Sequence, residues 1–126
     1  MKECVVDLSV ASDALKPQTA LGGEKRVLPG MQKQGGGSIL FTSSVSAVEA
    51  SPMPDFGYTA AKAALNAYAK KLAGTEAPNG VWVNALMPGS IEFPGGDWEK
   101  VQRHQPELYA MVQNSIPFRR LGPQRR

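Results

Sequence analysis

Gly57-Tyr58-Thr59-Ala60-Ala61-Lys62-Ala63-Ala64 opens an alanine-rich run that predicts a helix from about Gly57 to Thr75, closed by Pro78-Asn79-Gly80. Tyr58 and Lys62 are four residues apart, so a helix sets them on one face, about one turn from each other. A phenol beside an ammonium is chemically useful, because a nearby cation favours a phenolate over a phenol. Spacing alone does not decide the matter. The same pair also describes a solvated helix face carrying a packed ring.

Outward from this helix, Ser38-Ile39-Leu40-Phe41-Thr42-Ser43 reads as a strand covered on both faces, entered through the flexible turn Gly35-Gly36-Gly37. The triple glycine precedes a strand and opens no helix, so it does not read as a phosphate loop. Val81-Trp82-Val83-Asn84-Ala85-Leu86 is a second strand, stopped by Pro88-Gly89. Strand, helix, strand is a βαβ unit, whose strands run parallel. Two such strands make no stable sheet alone. The fold class is therefore α/β: an incomplete, doubly wound parallel sheet of about two clear strands with flanking helices, a slice of a larger domain.

Further out the signals weaken. Val5 to Lys16 reads as helical, residues 17–25 as a loop or insertion, and Arg26 to Gln34 as a short helix broken or bent at Pro29-Gly30. On the carboxyl side, Ser90 to Gly96 reads as a loop. Asp97 is read as the N-cap of a helix from Trp98 to about Asn114, kinked or split at Pro106. Pro117 to Arg126 reads as loop.

Composition excludes several functions. The 14 basic and 11 acidic side chains give +3, with Arg119, Arg120, Arg125 and Arg126 in the last eight residues; without an aromatic platform or basic helix this is no nucleic-acid binder. One cysteine, Cys4, forbids an internal disulfide, and one histidine, His104, leaves no His/Cys metal set. No apolar run reaches membrane-spanning length, and Met1-Lys2-Glu3-Cys4 lacks a signal-peptide core, so the reading is cytoplasmic.

The chemistry gathers at one edge. Ser44 ends the first strand, Tyr58 and Lys62 follow on the helix, and Pro88-Gly89-Ser90-Ile91 leaves the second strand. Both strand ends lie at the carboxyl edge, where open α/β sheets bind ligands. In this order the residues resemble the carboxyl-side half of a short-chain dehydrogenase/reductase, from about Leu28 to Gly122. The resemblance implies a partial Rossmann domain over residues 1–126 that binds NAD or NADP and moves hydride between nicotinamide and a small carbonyl or alcohol substrate. It implies Tyr58 as general acid and base, Lys62 easing ionisation of the phenol and hydrogen-bonding the nicotinamide ribose, and Ser44 holding the substrate oxygen. Pro88, Gly89, Ser90 and Ile91 would line the nicotinamide, with backbone groups of Ile91 near its carboxamide. It also implies a homo-oligomer in the full-length form, through the alanine-faced helix.

Three departures bear on this. The family's Gly-rich phosphate loop and its Asn-Ala-Gly segment have no counterpart here, nor has the last helix and strand at the carboxyl end. With residues 17–25 read as an insertion, Asp7 falls where the family carries a fourth catalytic residue, Asn; an aspartate accepts where an amide donates, so the water relay there loses support. Phe93 stands where the family often has Thr, and with Trp98 it shapes an apolar substrate pocket or simply packs. The alternative reading is a truncated, catalytically silent chain that keeps only an oligomerising helix.

Overall fold

The computed structural model of the chain describes residues 24–50, 53 and 55–123. The expectations for Asp7, for a helix from Val5 to Lys16 and for a loop over residues 17–23 fall outside them. The described residues form two compact units divided between Met87 and Pro88.

The first unit opens with helix α1 (Glu24–Lys33), followed by strand β1 (Gly37–Thr42), a short 3-10 turn (Val45–Ala47), helix α2 (Phe56–Glu76), a second 3-10 turn (Ala77–Asn79) and strand β2 (Val81–Leu86). One expectation needs correction here. Glu24 and Lys25, assigned to the loop of residues 17–25, are helical: Glu24 supplies an acid to the first turn and is itself buried. Of the two alternatives at Pro29, broken or bent, the break does not occur: the helix runs through it. The donor that Pro29 lacks would have met the carbonyl of Lys25, an exposed residue.

The triple glycine ends α1. Gly36 N–H donates to Met31 O at 2.9 Å and Gly35 N–H to Gln32 O at 3.2 Å, the two bonds of a Schellman cap, with Gly35 at φ 82°. Gly80, at φ 71°, closes the turn before β2. A Cβ on Gly80 would stand 2.7 Å from the Gly35 carbonyl oxygen, so only glycine lets the two turns meet. Gly37 N–H then donates to Gly80 O, and the parallel ladder follows in register from Gly37↔Val81 to Thr42↔Leu86. Ser43 N–H adds one more rung, to Leu86 O at 2.7 Å.

One face of this pair carries the core. Ile39 and Phe41 of β1, Val81 and Val83 of β2, Leu65 and Ala69 of α2 and Met31 of α1 pack together, with Tyr68 meeting Phe41 edge-on at 6.0 Å. Lys62, Leu65, Ala69 and Glu76 form the buried stripe of α2. The alternate residues of β1, Ser38, Leu40 and Thr42, are half-buried, and those of β2, Trp82, Asn84 and Leu86, are exposed, so among the described residues β2 is covered on one face. β1 and β2 show period-2 alternation in burial, although Ile39, Leu40 and Phe41 are consecutive large apolar residues.

The second unit holds strand β3 (Ile91–Glu92), helix α3 (Asp97–His104), helix α4 (Pro106–Ser115) and strand β4 (Gly122–Pro123). β3 and β4 pair in parallel, which corrects the loop readings of Ser90–Gly96 and Pro117–Arg126 at those residues. Pro106 splits the expected helix in two by starting α4, where its missing N–H costs nothing. Asp97 is the first residue of α3 and Gly96 the cap, so the expected cap is displaced by one position. Among the described residues no helix is long and apolar enough to cross a membrane.

Candidate active site

Ser44 follows β1 and caps the 3-10 turn, its Oγ accepting from Ser46 N–H at 3.2 Å. Capping uses an oxygen lone pair and leaves the hydroxyl proton available for donation. Ser44 is buried at 8% exposure, and the ladder ends just before it, so its position is fixed by the sheet.

Tyr58 and Lys62 lie in the first two turns of α2. The start of that helix is held by Thr59, whose N–H donates to Asp55 O at 2.9 Å and whose Oγ1 donates to Asp55 Oδ1 at 3.2 Å. The Lys62 ammonium stands 5.6 Å from the centroid of the Tyr58 ring, within reach of the ring's negative face. It also donates to the backbone carbonyl of Thr42 at 2.8 Å. Lys62 is 3% exposed, so a cation is held in a nearly dry place beside a half-buried phenol. A buried charge costs free energy unless polar groups stand in for its water, and the Thr42 carbonyl is one such group. No hydrogen bond of the Tyr58 hydroxyl is seen among the described residues.

Ser44, Tyr58 and Lys62 thus belong to one compact unit, around the carboxyl end of β1. Pro88, Gly89, Ser90 and Ile91 belong to the other. There, Ser90 O accepts from Gly122 N–H at 2.9 Å and Ile91 begins β3. Two contributors escaped the sequence reading. Thr42 acts through its carbonyl, which any residue would offer, and Ser43 donates its hydroxyl to Lys62 O at 3.2 Å. The doubled serine, Ser43-Ser44, is the one signal that pointed there.

The donors present suit one end of a dinucleotide. A phenol, an ammonium and a hydroxyl match ribose hydroxyls and a substrate oxygen. Among the described residues no glycine run cradles a pyrophosphate: the N–H groups of Gly35, Gly36 and Gly37 are taken by the cap and the ladder, and a strand follows them.

Comparison with known proteins gives the following. The sequence model described as enoyl-(acyl carrier protein) reductase matches residues 19–126. Dehydrogenase/reductase SDR family member 4 of Sus scrofa is 40% identical over 101 residues, covering 78% of this chain and 34% of its own. A short-chain dehydrogenase/reductase from Burkholderia xenovorans aligns with TM-score 0.80 and 27% identity over 95% of this chain and 52% of its own. A 3-oxoacyl-[acyl-carrier protein] reductase from Brucella melitensis, solved with bound NAD, aligns with TM-score 0.69 and 32% identity over 83% of this chain and 36% of its own. The chain spans about a third of the length of the curated relatives it matches.

Proposed function

Because the chain belongs to the short-chain dehydrogenase/reductase family, we propose that it carries the proton-transfer half of a nicotinamide-dependent oxidoreduction of a carbonyl or alcohol. The supporting observation is the buried Lys62 ammonium, held at Thr42 O and over the Tyr58 ring. NAD or NADP would supply or take the hydride at carbon; a family neighbour solved with NAD supports that cofactor class. Lys62 and Tyr58 would hold the nicotinamide ribose, and Pro88, Gly89, Ser90 and Ile91 are assigned to the nicotinamide by family resemblance.

In the reducing direction the Ser44 hydroxyl donates a hydrogen bond to the substrate oxygen and fixes its orientation. Tyr58 Oη gives its proton to that oxygen, forming the alcohol O–H as the carbon–oxygen π bond is lost. The phenolate left behind faces the Lys62 ammonium, which offsets its charge until a solvent proton restores the phenol. In the oxidising direction each transfer reverses, with Tyr58 as base.

Titration of the purified chain with NADH and NADPH, followed by nicotinamide fluorescence, tests the binding half. For the chemistry, Tyr58→Phe is expected to lower kcat by about 10²–10⁴-fold with the melting temperature unchanged. Undiminished turnover removes Tyr58 from its role. A folded chain that leaves both cofactors unbound favours the silent reading.

A further inference from the structure

We infer that Ser43 is a positioning residue whose hydroxyl locks Lys62 against the end of β1. The inference rests on the role proposed above for Lys62 and adds to it. Lys62 is held at both of its ends by consecutive residues of one strand terminus. Its ammonium donates to Thr42 O at 2.8 Å, and its main-chain carbonyl accepts from Ser43 Oγ at 3.2 Å. Ser43 is 3% exposed, so that hydroxyl has no water to fall back on. Its backbone N–H is committed too, to Leu86 O at 2.7 Å.

Ser43 therefore joins three things: the last rung to β2, the turn of α2 that carries Lys62, and the neighbouring Ser44. A helix packed on a sheet by apolar contacts alone can slide by fractions of an ångström, because those contacts have no direction. A hydrogen bond has direction, and here it acts one residue from Ser44. It sets the height of the Lys62 turn, and with it Tyr58 one turn earlier, against the Ser44 hydroxyl. Proton transfer needs that distance held closely, since small misplacements of catalytic groups cost large factors in rate.

The test reads Lys62 directly and needs no cofactor. The folded chain is reductively methylated with formaldehyde and a borane reductant, and each lysine is followed by peptide mass spectrometry, with the exposed Lys70 of the same helix as internal standard. Ser43→Ala removes the hydroxyl; Ser43→Cys keeps the branching and fills the site with a somewhat larger atom that is only a weak donor. Leu72→Ala, which loosens α2 elsewhere in the core, serves as the destabilised control. The expected result is a three- to tenfold rise in Lys62 labelling relative to Lys70 in both Ser43 variants, above that in Leu72→Ala at matched stability. Unchanged labelling overturns the inference. So does a rise in Ser43→Ala alone, which reports lost packing, or a rise no larger than in the control. If Ser43→Ala does not fold, Ser43→Cys decides. The labelling is independent of turnover, so failure of the proposed function and failure of the Ser43 role are told apart.

Discussion

Two parallel strand pairs in this chain are built on different scales. β1 and β2 pair along six residues each, and their buried side chains join Met31, Leu65 and Ala69 in one apolar cluster. β3 and β4 pair along two, and the residues around them are tied by polar contacts. Tyr109 Oη donates to both oxygens of Glu92 at 3.2 Å, and Trp98 meets the Tyr109 ring at 6.4 Å. Ile91, Phe93, Met111 and Phe118 of this second region are exposed. The residues proposed to move the proton, Ser44, Tyr58 and Lys62, all sit in the first region. A proton-transfer site benefits from rigid support, and the apolar cluster under β1 supplies it. The segment assigned to the nicotinamide, Pro88–Ile91, begins the region with the weaker internal frame.

The sharpest way to break this contrast is to damage the apolar cluster. Phe41 is fully buried, and Phe41→Ala is expected to cost about 3–5 kcal/mol, partly as lost transfer energy and partly as cavity. For a chain of this length that is roughly 10–20 °C in melting temperature. Each region holds one of the two tryptophans, Trp82 and Trp98, so Trp98→Phe and Trp82→Phe backgrounds report them separately. The Trp82 signal should show the full loss. An equal loss in the Trp98 signal would mean one shared transition, and the contrast would then be one of sequence and not of stability.

The same contrast marks how much could be read in the sequence. Val81–Leu86 was legible to the residue, because a short, mostly apolar stretch bounded by Gly80 and Pro88 has few other readings. Tyr58 and Lys62 were legible as one helix face for the same local reason. β3 and β4 were not: two residues carry no period, and Pro123 argues against a strand unless a partner supplies the pairing. Glu24 was misread for a different reason. Its neighbours Gly22 and Gly23 signal a loop, whereas its burial depends on Tyr68, 44 residues away, whose hydroxyl donates to Oε1 at 2.7 Å. Contacts at such separation leave no local trace. The tie from Lys62 to the Thr42 carbonyl is invisible for a further reason, since a backbone acceptor has no residue type.

A smaller effect compares the two Tyr–Glu pairs. Burial first, and then the hydrogen bond and charge of Glu24, push the Tyr68 hydroxyl up to about 12. Burial and then Glu92 raise Tyr109 as well. A phenol whose pKa is higher folded than unfolded stabilises the fold fully below about 10, its unfolded value, and that contribution is lost as pH rises through the folded value. For Tyr68 the window runs from about 10 to about 12, and after allowance for solvent screening it is worth roughly 1 kcal/mol. At neutral pH, Tyr68→Phe should cost about 1–3 kcal/mol, because Glu24 is buried and its Oε2 has no hydrogen-bond partner among the described residues. It should also flatten the alkaline fall of the wild type between pH 10 and 12 in a thermal denaturation series. Tyr109→Phe should cost less, since Glu92 is only half-buried and water can replace the lost donor. Equal costs for the two variants would place the second region on the same footing as the first.

The smallest expected effect concerns the ion pairs of α3, which at first sight could compensate the second region for its thin core. Lys100 Nζ meets Asp97 Oδ1 at 2.8 Å, but their side chains are 67% and 92% exposed. An exposed pair three residues apart gains little over two hydrated ions and orders a long side chain to do so. Lys100→Ala should therefore change stability by less than about 0.5 kcal/mol, and less again in high salt. Asp97→Ala should cost more, about 0.3–1 kcal/mol, because Asp97 also stands in the first turn of α3, where its charge meets the positive end of the helix dipole. Chemical denaturation of both variants at low and high salt, read through Trp98, separates the two contributions. If Lys100→Ala proved the costlier of the two, the pair itself would be holding α3, and the second region would owe its order to charge where the first owes it to the cluster around Phe41.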